Sequence, residues 1–160
     1  MKNSVAKWAA WVATCGGIGY FPLFPGTIGS LAGLLLFLPL QGLSTLNYGL
    51  FLVVLFGIGV YTSTAAEPYF QRKDASHIVI DELHAMLLVS VLLPPAYGWW
   101  IAGFVVFRCF DIKKPPPIRA FEKWPGGWGV MADDFVAALY TVCVLRLTEA
   151  LMRMSPLNIG

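Results

Sequence analysis

Charge is what this sequence has least of. Asp, Glu, Lys and Arg make up 12% of its 160 residues, about half the ~25% of an average soluble domain. No dense run of Lys and Arg occurs and the net charge is only +2, which excludes a nucleic-acid partner held by phosphate neutralisation. Histidine is limited to His77 and His84, and cysteine to Cys15, Cys109 and Cys143. Those cysteines are widely spaced among apolar neighbours, a pattern that suits small packing residues better than a disulfide frame or a zinc site. Internal repeats and low-complexity tracts are absent as well.

Apolar residues fill the space that charge leaves: hydrophobic types reach 58% and the mean hydropathy is +0.69. This composition specifies a membrane protein, and the length is about that of one domain. Residues 1–160 are therefore expected to form a single membrane-embedded domain. Lys2, Lys7 and the stretch WAAWVATCGGIGYF resemble a signal peptide, but three glycines break the apolar part and no A-x-A pattern follows. The segment reads as retained and lying at the membrane surface.

The apolar runs set the expected fold, an all-α helical bundle of about four to five membrane segments. The first covers 28–40, the second 48–66, close to the ~20 residues that span a hydrocarbon core. A third covers 83–110, 28 residues that as one helix would reach ~42 Å at ~1.5 Å per residue, longer than a ~30 Å core requires. Pro94 and Pro95 interrupt it, so two shorter helices in a hairpin, crossing or re-entrant, are expected. The last run, 130–152, would cross and leave the C-terminus on the far side. Arg72 and Lys73 precede the third region, and Arg108, Lys113, Lys114, Arg119 and Lys123 follow it; cytoplasmic preference of basic residues places both flanks on one side.

That topology gathers four polar segments at one face: FPLFPGTIGS, the Asp81–Glu82 pair, FRCFDIKKPPPIRAFEK and GGWGVMADD. Of nine acidic residues, Asp81, Glu82, Asp111, Asp133 and Asp134 adjoin apolar helix ends, where an unpartnered carboxylate is costly. Arg108 and Lys113 could offset that charge as ion pairs, or a divalent cation could do so. Mg²⁺ takes carboxylate oxygens, with water and substrate phosphate completing its shell. Adjacent residues on a helix point about 100° apart, so both members of a DE or DD pair rarely aim at one ion; one can orient while the other ligates. PGTIGS opens an apolar helix, where free amides and the hydroxyls of Thr27 and Ser30 could hold a phosphate, or simply cap the helix. Gly126, Gly127 and Gly129 allow close approach of backbone to a ligand, or a turn. His77 could act as a general acid or a substrate contact, and His84 could pair with a carboxylate; a lone His in a loop is more often incidental.

The segments PLFPGTIGS, IVIDE, FRCFDIKKPPPIRAFE and GGWGVMADDFVAA, in this order and spacing, resemble the motif blocks of the phosphatidylglycerophosphatase A family over roughly residues 16–145. The resemblance implies a Mg²⁺-dependent phosphatase of the bacterial inner membrane that converts phosphatidylglycerophosphate, an anionic phospholipid, to phosphatidylglycerol on the cytoplasmic side. Carried over residue by residue, it implies catalytic roles for Asp81, Glu82, Asp111, Asp133 and Asp134, with Asp81, Glu82, Asp133 and Asp134 as metal ligands. Gly26, Thr27, Ser30, Arg108 and Lys113 would bind the phosphate. Ala85 and Ala138 stand where the family commonly has glycine, changes that bear on helix packing.

Other routes to phosphate hydrolysis lack their residues. No Cys is followed six positions later by Arg, and no D-x-D pair is present. The D-x-x-D-G-x-x-A-R pattern of CDP-alcohol transferases is also missing. Metal-activated water is the economical mechanism that remains. The alternative of another class, a small transporter or channel subunit, would spread its carboxylates through the membrane depth.

Overall fold

The computed structural model describes residues 2–72 and 74–154. Among the described residues every regular element is helical: α1 (Lys2–Ala13), a 3-10 turn (Ile18–Tyr20), α2 (Pro25–Leu40), α3 (Thr45–Phe70), α4 (Ile80–Leu92), α5 (Tyr97–Lys113), α6 (Ile118–Phe121) and α7 (Gly127–Met154). Two of them, α3 and α7, are long and apolar enough to cross a membrane. At ~1.5 Å per residue they reach roughly 39 and 42 Å. Their outward side chains are greasy: Leu46, Val53 and Val54 on α3 and Leu147 and Leu151 on α7 are all exposed. An apolar exterior of this extent is stable only against lipid or a partner.

The helix ends follow local chemistry. Ser44 caps α3 by accepting the amide of Asn47 at 3.3 Å, as N-cap serines do. The chain breaks between Leu92 and Tyr97 at Pro94 and Pro95, where a helical amide is missing and the preceding residue is pushed to extended backbone. Lys114 ends α5 in the left-handed region, φ 42°, and three prolines after it stop any continuation. At the start of α7, Gly127 donates its amide to Thr64 Oγ1 at 2.7 Å.

Small residues set how closely the helices approach. A Cβ added at Gly29 would lie 2.7 Å from Val79 Cβ, and one at Gly33 would lie 2.5 Å from the Leu83 carbonyl, so α2 lies directly on α4 and runs in the same direction. In α1, Ala9, Ala10 and Ala13 are buried together with Ala66 of α3. Beneath these contacts Phe37, Tyr48, Met86, Leu87, Trp100 and Phe107 fill the main core. Tyr48 Oη donates to the Leu87 carbonyl at 3.1 Å, and Arg146 Nε donates to the Leu92 carbonyl at 2.7 Å, so the end of α4 is satisfied by its neighbours.

Helix direction decides what meets. α4 and α7 run alike, with Asp81 near Asp134 and Leu92 near Arg146. α5 runs against α4, with Arg108 beside Glu82 and Gly103 against Val89. α3 opposes α7, with Gly59 on Met131 and Phe56 on Phe135. The starts of α2, α4 and α7 therefore share one end of the bundle with the ends of α3 and α5.

Candidate active site

At that shared end, Asp81 and Glu82 stand in the first turn of α4. Asp134 comes from α7, seven residues or about 10 Å beyond its start at Gly127. Carboxylate oxygens of Asp81, Glu82 and Asp134 lie within 4.8 Å of one another. Asp81 Oδ1, Glu82 Oε2 and Asp134 Oδ2 are buried and have no hydrogen-bond partner. Three such groups repel one another strongly away from water, so the arrangement calls for positive charge between them.

Arg108 reaches in from α5. Its Nη1 is 2.5 Å from Asp111 Oδ2, 3.8 Å from Glu82 Oε1 and 3.5 Å from Ser30 Oγ. Gly26 makes room for this contact: a side chain there would collide with Glu82 Oε1 and come within 3.2 Å of Arg108 Nη1. Ser30 in turn donates to the Gly26 carbonyl at 2.8 Å. The α2 cap position is Phe24, which offers no side-chain hydrogen bond, so neither Thr27 nor Ser30 caps this helix. Thr27 is half-buried in the first turn. The α2 start thus brings its amides and its positive dipole end to the carboxylate group.

The DD pair divides as the helical geometry requires. Asp134 joins the trio, whereas Asp133 Oδ2 takes the ammonium of Lys114 at 2.6 Å and its Oδ1 accepts the Asp134 amide at 3.0 Å. Asp133 is therefore not one of the three grouped carboxylates. The DE pair does not divide: Asp81 and Glu82 both reach the trio, because the extra methylene of Glu82 lets it swing back across the angle between adjacent positions. Asp111 remains on Arg108, one of the negative charges facing Asp134.

Lysine placement differs from the expectation. Lys113 is exposed at the end of α5, and its carbonyl accepts from Arg119 Nη2 at 3.4 Å. Lys114 is the lysine that turns inward, to Asp133 and, at 3.5 Å, to Glu122. Its left-handed cap conformation redirects the chain at this residue. Burial works against the charge on Lys114, but the hydrogen bond and charge of Asp133, with Glu122 and Asp134 behind it, outweigh this and raise its pKa above the usual lysine value. The signal was present in the sequence, since Lys114 is the Lys of the Lys-Pro step in FDIKKP.

The remaining candidates lie elsewhere. His84 is buried between Phe56 and Phe135, at centroid distances of 5.4 and 6.4 Å, and does not pair with a carboxylate. His77 stacks on Phe70 and touches Tyr20. The glycines before Asp133 serve the protein's own packing: a side chain on Gly127 would strike the Val60 carbonyl, and one on Gly129 would lie 2.6 Å from the Trp124 carbonyl. At the opposite end of α7, Glu149 is held by Arg146 and Arg153, so among the described residues the grouped carboxylates collect at one end, unlike a path for ions.

The donor set is all oxygen, carries three negative charges when fully ionised and leaves one buried oxygen of each group unsatisfied, so Asp81, Glu82 and Asp134 could hold a hard divalent cation. Beside it stand a guanidinium and a helix start, both suited to phosphate.

Comparison with known proteins points to a lipid phosphatase. The family model described as Phosphatidylglycerophosphatase A matches residues 11–149. Phosphatidylglycerophosphatase A of Haemophilus influenzae is 40% identical over 134 residues, 81% of this chain and 81% of that protein. Its namesake in Escherichia coli is 40% identical over 138 residues, 81% of this chain and 76% of that protein. A Bacteroides thetaiotaomicron protein named for phosphatidylinositol-3-phosphatase activity is 33% identical over 146 residues, 86% of this chain and 91% of its own length. No solved structure matches.

Proposed function

The chain belongs to the phosphatidylglycerophosphatase A family and is a phosphatidylglycerophosphatase; on that premise we propose that the group at the head of α4 and α7 is its catalytic centre and works with Mg²⁺. The observation that carries this is the grouping of three carboxylates beside Arg108, each with one buried oxygen that accepts no hydrogen bond. Asp81, Glu82 and Asp134 would hold the cation. When bound, it supplies positive charge to the phosphate and acidity to a water molecule.

The chain's own groups do the rest. Arg108 sits where it can leave Asp111 for a phosphate oxygen, as guanidinium clamps do in phosphoryl transfer. Amides of the α2 start, at Gly26 and Thr27, take further oxygens of the dianion. Lys114 holds Asp133, whose Oδ1 fixes the Asp134 backbone, so this pair positions the ligating residue. A carboxylate takes the proton of the attacking water, the bond from phosphorus to the glycerol oxygen breaks, and that oxygen is protonated as it leaves.

In the same reading α3 and α7 cross the bacterial inner membrane. The shorter α2, α4 and α5 complete four to five membrane segments, with α4 and α5 as a hairpin broken at Pro94 and Pro95. Arg72, Arg108, Lys114 and Arg119 gather at the site end, which favours a cytoplasmic orientation.

The direct test is phosphate release from phosphatidylglycerophosphate by purified protein. Activity should vanish on chelation, return with Mg²⁺, and fall at least about 100-fold in Asp134→Asn. Turnover that survives both treatments would sink the metal centre.

A further inference from the structure

An apolar groove of about 450 Å³ opens between α3, α4 and α7, within the range of ligand cavities. One wall is a stripe of α3, Gly49, Leu52, Val53 and Phe56, spaced along one face and running about 10 Å. Leu88, Phe135 and His84 complete it. Two features tie it to the carboxylates. His84 lies one helical turn from Asp81 on α4 and Phe135 follows Asp134 on α7, and both meet Phe56, so the Phe56 end of the groove is the end nearer the trio while the Gly49 end leads away along α3. In addition, Nδ1 of His84 is buried and has no hydrogen-bond partner.

We propose that this groove is the binding site for one acyl chain of the lipid substrate, with the glycerol end at His84 and the phosphate at the carboxylate trio. The proposal rests on the phosphatase reading above. A lipid phosphatase has to present a dianion to its polar centre while the tail of the same molecule stays in apolar surroundings. A groove whose inner end lies one helical turn from that centre, apolar along its length with His84 at that end, does so without lifting the lipid from hydrocarbon. Its occupant is thus a fatty acyl chain; a second copy of this chain would find no charge complementarity there.

Gly49 makes the test specific. A Cβ at this position meets no atom within 4 Å, so Gly49→Phe fills the groove without displacing the fold. Gly57 is equally open but lines a separate hollow with Tyr61 and Trp128, so Gly57→Phe is the matched control. In detergent with Mg²⁺, kcat/KM is measured for dioleoyl and dihexanoyl phosphatidylglycerophosphate. The expected result is that Gly49→Phe lowers the dioleoyl to dihexanoyl ratio at least tenfold, chiefly through KM, while Gly57→Phe keeps the wild-type ratio. An unchanged ratio in Gly49→Phe, or an equal fall in both variants, overturns the groove assignment while leaving the phosphatase reading intact. Loss of both substrates in wild-type protein overturns that reading first, and this proposal with it.

Discussion

Glu82 and Gly26 show how tightly single residues define this centre. Because a side chain on Gly26 would occupy the place of Glu82 Oε1, Gly26→Ala should displace the glutamate and Arg108 together, cutting kcat by at least about tenfold while thermal melting shifts little. A variant with wild-type turnover would show that Glu82 can relocate freely. Lys114 and Lys113 form a second contrast. Removing Lys114 strands Asp133, which is only 4% exposed, so Lys114→Ala should destabilise the fold by about 2 kcal/mol and lower activity; Lys113→Ala should do neither. Denaturant titration of the two variants side by side separates them. Cys15 gives a chemical probe of the same region. Burial, and then the charge of Glu82, push its thiol up to about 12, leaving almost no thiolate at pH 8. Mass spectrometry after iodoacetamide should find Cys15 slow to modify in the folded protein and readily alkylated after denaturation; rapid labelling of the native thiol would contradict the upward shift of its pKa.

At the level of elements, the sequence carried the helices and much of the site. Apolar run length predicted α3 and α7, and the motif blocks identified the residues that meet. What it could not carry were choices made by neighbours. Spacing predicts that Asp81 and Glu82 diverge, yet the reach of Glu82 brings both to a third carboxylate from α7. The α7 run was expected from residue 130, whereas the helix begins at Gly127, because contact with Val60 and the Thr64 hydroxyl favours a helical start that glycine propensity alone disfavours. Glycines in GGWG that could have met a ligand instead meet the protein itself, Gly126 and Gly127 on α3 and Gly129 on the Trp124 and Glu122 carbonyls. The same logic makes the α2–α4 contact fragile: Gly33→Leu should force these helices apart by overpacking, at about 1–3 kcal/mol, and take activity with it since α2 carries Gly26. Retained melting temperature and turnover in that variant would mean α2 can slide on α4.

For the whole molecule, helix direction is what converts four scattered segments into one centre. α2, α4 and α7 begin at the end where α3 and α5 finish, so residues as distant as Ser30 and Arg108 come to 3.5 Å. In the proposed orientation, with α3 and α7 both crossing, the loop holding Arg119 and Lys123 faces the cytoplasm and the end of α7 faces away. Cysteine-reactive reagent that cannot cross membranes should therefore label Arg119→Cys in inside-out vesicles and spare it in intact cells.

The side opening of the apolar groove has a kinetic meaning. A molecule that enters between α3 and α7 comes from the plane of the bilayer, so the quantity that sets its arrival is lipid per unit area. Diluting the substrate with an inert phospholipid at constant bulk concentration would slow turnover, and diluting the vesicles in buffer would not.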